Sequence, residues 1–392
     1  MEFDVVLVVE YFRTLGPYLS LVAQLAKRYR VGIYCLPVPE RELQKNRRAQ
    51  EDFVERLVRH GATDITGRTV RARLLVVPQR PYQSGALDEV RVNVSASKAV
   101  ALLALAWPGN EAADAFLTQF NFHKLLVVDR RFFDFLLERR GAAARYAGRE
   151  LVEVGMPYAK YPVFPEFRAD YILAIPTPFS FAHEDDKWSF LETVRALVAK
   201  IPTTEVIVHK PHNGLDIDQF ASPKLRRALV LLRPFIPLVA ALKSLIAAHP
   251  GSKMLGLLGR IYTAYLYDSV LRRTVPIEEL TPDYQYAMEA FMPGIRKGVI
   301  GGLSNTIWGT LFYRLPFYNC VDLARQQRES SHKTYGNKAT SNALDLNMSY
   351  FHVPYCRGEL TFDPKYFDIL ADSTRNGDIV AAIDFELKSG VP

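Results

Sequence analysis

Four short turns marked by glycine and proline recur in the middle of this chain. They are Val154-Gly155-Met156-Pro157, Ile175-Pro176-Thr177-Pro178, His209-Lys210-Pro211-His212 and Gly301-Gly302-Leu303-Ser304-Asn305-Thr306. Three of them follow apolar, β-branched runs of strand length. Such runs read as parallel strands buried on both faces, so the turns should lie at carboxyl strand ends, where open α/β sheets bind ligands. A chain punctuated in this way is expected to wind sheet and helix alternately.

The pattern starts at the amino end. Asp4-Val5-Val6-Leu7-Val8-Val9 predicts a strand, 16–30 a helix, and Val31 to Leu36 a second strand. A charged surface helix is expected over 40–60 and a strand over 72–78. Residues 95–106 and 111–118 have helical composition, and Lys124 to Asp129 reads as a further strand. The alternation then begins again, with strands at 171–175, 205–208 and 298–300 and helices at 187–200 and 306–313. The expected fold is therefore α/β, with two Rossmann-like domains facing a cleft (the GT-B plan). The expected divisions are 1–156, an amino-terminal acceptor domain; 157–322, a nucleotide-donor domain; and 323–392, a tail packing back. Pro157, Pro162 and Pro165 punctuate the join. The polar stretch 323–343 reads as a loop, and 363–387 as a closing helix and strand.

Charge becomes informative once located. The chain carries a formal +7, yet Pro223–Arg273 alone holds nine basic residues against one acid, Asp268. Its apolar runs, such as Ala228–Leu232 and Leu238–Leu242, are interrupted by Arg, Lys, Pro234 and Pro237 well before the ~20 residues of a membrane span. A helical hairpin lying on an anionic membrane surface fits this composition; a buried helical insertion or an oligomer interface is the alternative. Nucleic acid is not expected as a partner, because few aromatics accompany the basic residues and no recognition motif appears. Cys35, Cys320 and Cys356 have no CxxC spacing, so neither a disulfide framework nor a structural zinc is implied. The acidic start Met1-Glu2-Phe3-Asp4 does not resemble a secretory signal. The expected location is cytoplasmic, at the inner face of the plasma membrane.

The turns supply the candidate chemistry. His209, Lys210 and His212 can stabilise a leaving phosphate or act as a general acid, with His212 furthest from the strand; the plainer reading is a polar loop. Gly301, Gly302, Ser304, Asn305 and Thr306 lie between strand and helix, where backbone N–H groups and the helix dipole favour an anion. An ordinary helix cap uses the same residue types. The turn matches neither GxGxxG nor a Walker loop. Thr177 and Ser180 can face the phosphate from the other side. Glu184, Asp185 and Asp186 can serve as base or nucleophile, or simply sit at a helix amino end. Glu10, ending the first strand near Arg13, is the candidate base for an acceptor hydroxyl; Asp129 is a weaker one. No metal site and no cofactor beyond the nucleotide-sugar donor are expected.

The order of these turns resembles the CDP-glycerol glycerophosphotransferase group and, more loosely, bacterial CMP-sugar transferases for Kdo and sialic acid. The residues that carry the resemblance are Gly155 and Pro157, Pro176 and Thr177, Lys210 and His212, and Ser304 with Asn305. It covers about 150–320. Asn213 stands where the group has proline, and Gly302-Leu303 stand for Asp-Tyr, which turns the expectation toward a CMP-linked donor. The resemblance implies that His212 contacts the donor phosphate and that Ser304, Asn305 and Thr306 bind it. The expected activity is transfer of a CMP-activated ulosonic acid, such as Kdo or sialic acid, to a surface polysaccharide or glycolipid. Alternatives are a CDP-glycerol, CDP-ribitol or UDP-sugar transferase, a sugar-nucleotide epimerase, and a non-catalytic membrane-bound scaffold.

Overall fold

A computed structural model describes residues 1–9, 15–36, 40–78, 86–103, 120–139, 141–156, 164–175, 181, 184–210, 223–249, 251–282, 286, 288–302, 306–322, 350–369 and 377–389. The chain divides into two compact units: Met1–Phe164 with Gln285–Pro293 and Asp368–Pro392, and Pro165–Tyr284 with Gly294–Phe367. The tail is thus shared, since described residues 350–367 belong to the second unit and 377–389 to the first.

The first unit runs β1 (Glu2–Val9), α1 (Leu15–Leu25), β2 (Val31–Cys35), α2 (Glu40–Arg59), β3 (Ala62–Asp64), β4 (Val70–Pro78), α3 (Ala86–Asn93), β5 (Val94–Leu103), β6 (Lys124–Val127), α4 (Arg130–Arg139), α5 (Ala143–Tyr146) and β7 (Leu151–Glu153). All seven strands are parallel, in the order β3-β2-β1-β4-β5-β6-β7. Val5 to Val9 are all fully buried, as a central strand covered on both faces requires. The helix expected over 95–106 is a strand as far as Leu103. Its alanines and lysine favour helix locally, but β5 is claimed by β4 on one side and β6 on the other. Strand formation here follows from pairing and burial rather than from intrinsic preference.

The second unit repeats the winding on a smaller scale. It runs β8 (Ala169–Ala174), α6 (Glu184–Lys200), β9 (Ile207–Lys210), α7 (Pro223–Leu232), α8 (Ile236–Ala241), α9 (Lys243–Ala248), α10 (Lys253–Leu271), β10 (Val275–Pro276), β11 (Ile295–Gly301), α11 (Thr306–Phe312) and β12 (Phe317–Asn319). Its five strands are parallel in the order β10-β9-β8-β11-β12. Both units are Rossmann-like, as expected, and the second carries the helical insertion. That insertion is four helices rather than the expected hairpin. Pro234 and Pro237 fall in the first turns of a 3-10 helix and of α8, where a missing N–H costs nothing. The short helices pack on α10, and α10 packs on α6. Gly259 permits that contact, because a Cβ there would lie 3.3 Å from both Ile246 and Trp188.

The closing element is α12 (Ile379–Lys388), which belongs to the first unit; no strand follows among the described residues. Asp378 caps its start by accepting from the N–H groups of Val380 and Ala381 at 3.0 Å. Its final carbonyls are met by cations: Arg73 Nη2 donates to Leu387 O at 2.6 Å and Lys98 Nζ to Glu386 O at 3.1 Å. Such groups otherwise lack partners. Buried Glu386 faces Lys124 at 2.9 Å and His123 at 2.7 Å. Burial alone would raise its carboxyl, but hydrogen bonds from His123 and Lys124 hold it below its ordinary value of 4.5. The unfolded chain therefore takes up this proton first, so the stabilisation is present above that value and lost as pH falls through the folded one. Glu386→Gln is expected to lower first-unit stability by ~1–3 kcal/mol at neutral pH. It should also flatten the acid limb of the stability profile, as read by urea unfolding across pH.

Candidate functional site

In the second sheet the strand order reverses between β8 and β11. The crevice outside the carboxyl ends of such a pair is the usual ligand position in open α/β sheets. Register makes the position specific. Lys210 pairs with Ala174, Ala174 with Gly301 and Gly301 with Asn319, forming one row across β9, β8, β11 and β12. The row before it is His209, Leu173, Ile300 and Tyr318. With strands ~4.8 Å apart, the backbones of Lys210 and Gly301 lie about 10 Å from one another across β8. The His-Lys and Gly-Gly segments thus reach the same edge of the same sheet.

His209 and Lys210 do not form the turn expected of them; they are the last two residues of β9. Both are buried, His209 completely and Lys210 with 3% exposed. His209 Nε2 lies 3.4 Å from the Tyr267 hydroxyl of α10, with the rings edge-to-face. Its neighbour in the strand projects to the opposite face, so His209 anchors the sheet to α10 while Lys210 ends the row on the other side. Lys210 thus ends its strand one strand away from the switch point.

Gly301 and Gly302 have a structural reason to be glycine. A Cβ on Gly301 would sit 2.8 Å from the carbonyl oxygen of Ala174, and one on Gly302 would sit 2.4 Å from Val321 Cγ2. Thr306, the first residue of α11, is buried. The far end of the row is braced by Asn319, which is fully buried. Its Oδ1 accepts from Val321 N and its Nδ2 donates to Val321 O, both at 3.0 Å. Cys320 N donates to Gly301 O and Cys356 N to Asn319 O, each at 2.8 Å. The two thiols meet at 3.9 Å. Burial pushes Cys320 well above its ordinary range, while the hydrogen bond with Cys320 draws Cys356 below it. Neither the Asn319 brace nor the cysteine pair carries a sequence signal, since their spacing matches no motif.

The other candidates separate into two groups. Glu10, Thr177, Ser180, His212, Ser304 and Asn305 lie outside the described residues. Glu184 opens α6; Asp185 is half-buried and Asp186 buried in the same first turn, where acids favour the helix dipole. Asp129 accepts from Phe132 N at 2.7 Å and so caps α4. Gly155 adopts a φ of 73° in its turn, a conformation that favours glycine. No group of three or more His, Cys, Asp or Glu converges as metal ligands among the described residues.

No family model and no curated protein matches the chain. Two solved structures align along nearly its whole length. One is S. aureus MnaA with UDP, at 8% identity and a TM-score of 0.39, covering 100% of this chain and 99% of that one. The other is a UDP-glucosyltransferase from Polygonum tinctorium in complex with 3,4-dichloroaniline, at 9% identity and a TM-score of 0.41, covering 98% of each. Likenesses at these scores carry no functional argument, so function rests on the site itself.

Gly301→Ala should destabilise the second unit by ~1–3 kcal/mol without any ligand, because the clash is with backbone. Thermal unfolding of the ligand-free protein checks this, and an unchanged Tm would return the glycine to a purely ligand-facing role.

Proposed function

We propose that this protein is a glycosyltransferase whose second unit holds a nucleotide-sugar donor at the β8/β11 switch point. The observation that carries the reading is the row Lys210–Ala174–Gly301–Asn319, which sets a buried lysine and a glycine-ended strand at one sheet edge. In transfer, an acceptor oxygen attacks the anomeric carbon and the bond from that carbon to the donor phosphate oxygen breaks. Negative charge then grows on the departing nucleotide. Lys210, together with His212, stabilises it, and the turn from Gly301 to Thr306 holds the phosphate with its N–H groups and hydroxyls. Thr177 and Ser180, which follow β8 in sequence, are the hydroxyls proposed to meet the phosphate from the other side. Glu184 and Asp185 are the acids proposed for this unit, and Glu10 is the proposed base for an acceptor hydroxyl.

The donor proposed is a CMP-activated ulosonic acid such as Kdo or sialic acid, and the acceptor a surface polysaccharide or glycolipid at the inner face of the plasma membrane. The support for CMP is the residue pattern around Lys210 and His212 and around Gly302 to Ser304. Incubation with CMP-, CDP- and UDP-linked donors, with nucleotide release followed, tests the choice. Release of CMP from the CMP-linked donor alone is the expected result; release of CMP from a CDP-alcohol donor, which passes on its alcohol phosphate, or of UDP from a UDP-sugar would move the assignment to another donor class. Replacing Lys210 with Met should lower turnover about 10²–10³-fold, the usual effect of deleting one preorganised partner of a developing charge. His212→Ala should fall in the same range. A Lys210→Met protein of unchanged stability and undiminished kcat would remove the phosphate role from this strand end.

A further inference from the structure

The helical insertion is apolar on both of its sides. Leu229, Ile236, Val239 and Ile246 point inward and join the core around Trp188 and Ile261. Yet seven of the thirteen large apolar side chains exposed among the described residues lie between 230 and 257. Leu231 is 79% exposed, Met254 70%, Val230 69%, Leu238 60% and Phe235 59%. A helix that is hydrophobic all round is normally covered all round, and solvated apolar surface of this density marks an interaction face.

Charge decides what covers it. From Gln219 to Tyr267 the chain has no Asp or Glu and seven Lys or Arg. Arg227, Arg233, Lys253 and Arg260 are exposed on the same helices as the apolar residues. Two copies of this face brought together would oppose cation to cation. An anionic lipid surface instead neutralises the basic residues while the acyl boundary accepts the leucines and Phe235. No helix among the described residues is long and apolar enough to cross a membrane, and runs broken by basic residues suit contact in the plane of an interface.

We propose that the outer side of helices α7, α8 and α9 and the amino-terminal half of α10 docks in the plane of an anionic lipid bilayer. Leu231, Phe235, Leu238 and Met254 are its apolar anchors, and Arg227 and Lys253 its electrostatic ones. The proposal deepens the membrane placement named above and is independent of donor chemistry.

The test uses the full chain, without nucleotide sugar, sedimented with vesicles of phosphatidylcholine alone or with roughly one-third phosphatidylglycerol. Partitioning is expected to be about tenfold or more stronger on the anionic vesicles and to weaken as salt is raised. The double variant Leu231→Glu, Leu238→Glu should lose about tenfold or more of it. Both positions are solvent-exposed, so the melting temperature should not move. Arg227→Glu with Lys253→Glu should lower binding to anionic vesicles only, and supplies a second route should the leucine variant fail to fold. Equal binding to neutral and anionic vesicles, or none to either, overturns the proposal. So does a lipid-free dimer by light scattering that the leucine variant abolishes, which would assign the face to a second copy of the chain.

Discussion

Parallel pairing of β8 with β9 on one side and β11 on the other is the constraint on which the second unit depends. It sets Lys210, Ala174, Gly301 and Asn319 in one row. The row tolerates no side chain at Gly301, whose Cβ would run into the carbonyl of Ala174. A slip of one residue would turn every side chain to the other face, carrying His209 off Tyr267 and Lys210 into its place. The hydrogen bonds of Cys320 to Gly301 and of Cys356 to Asn319 continue the same lattice beyond the last strand. Backbone geometry, rather than any one charged group, therefore holds this sheet edge in place.

The insertion obeys a different balance. Its inner residues are fixed by packing against α6, where Trp188 Nε1 donates to Thr263 Oγ1 at 2.9 Å and Gly259 admits Ile246. Lys243 is drawn inward to Glu192, at 2.7 Å, and Tyr262 donates to the same carboxylate at 2.6 Å. Burial first, and then that carboxylate, raise the Tyr262 hydroxyl far above its ordinary range. The basic residues left on the outside thus belong to the surface by elimination within this local network. The same stretch builds a core inward and keeps an apolar, cationic face outward.

How much of this was legible before folding differs from element to element. Strands such as Val5–Val9 and Tyr171–Ala174 were readable because a buried parallel strand needs an unbroken β-branched and apolar run. Strand β5 was not, since Ala96, Lys98 and Ala99 favour helix until two neighbours claim their backbones. The ends of β9 and β11 were misjudged in a related way. A histidine and a lysine look like turn residues, yet both are buried at the end of a strand, one of them against a tyrosine fifty-eight positions away. The first-turn acids of α6 and the cap Asp129 show the reverse, placements at helix starts that local sequence encodes.

By itself, the sequence determined the alternation of strand and helix, the restart after the first unit, and the concentration of positive charge between 223 and 273. These are local or compositional properties, written into hydrophobic period and residue type. Only the tertiary structure decided which strands are neighbours, that Lys210 and Gly301 share one row, that Cys320 meets Cys356, and which leucines of the insertion face outward. Those outcomes arise from pairing and close packing between residues far apart in the chain, and no local pattern encodes the partner.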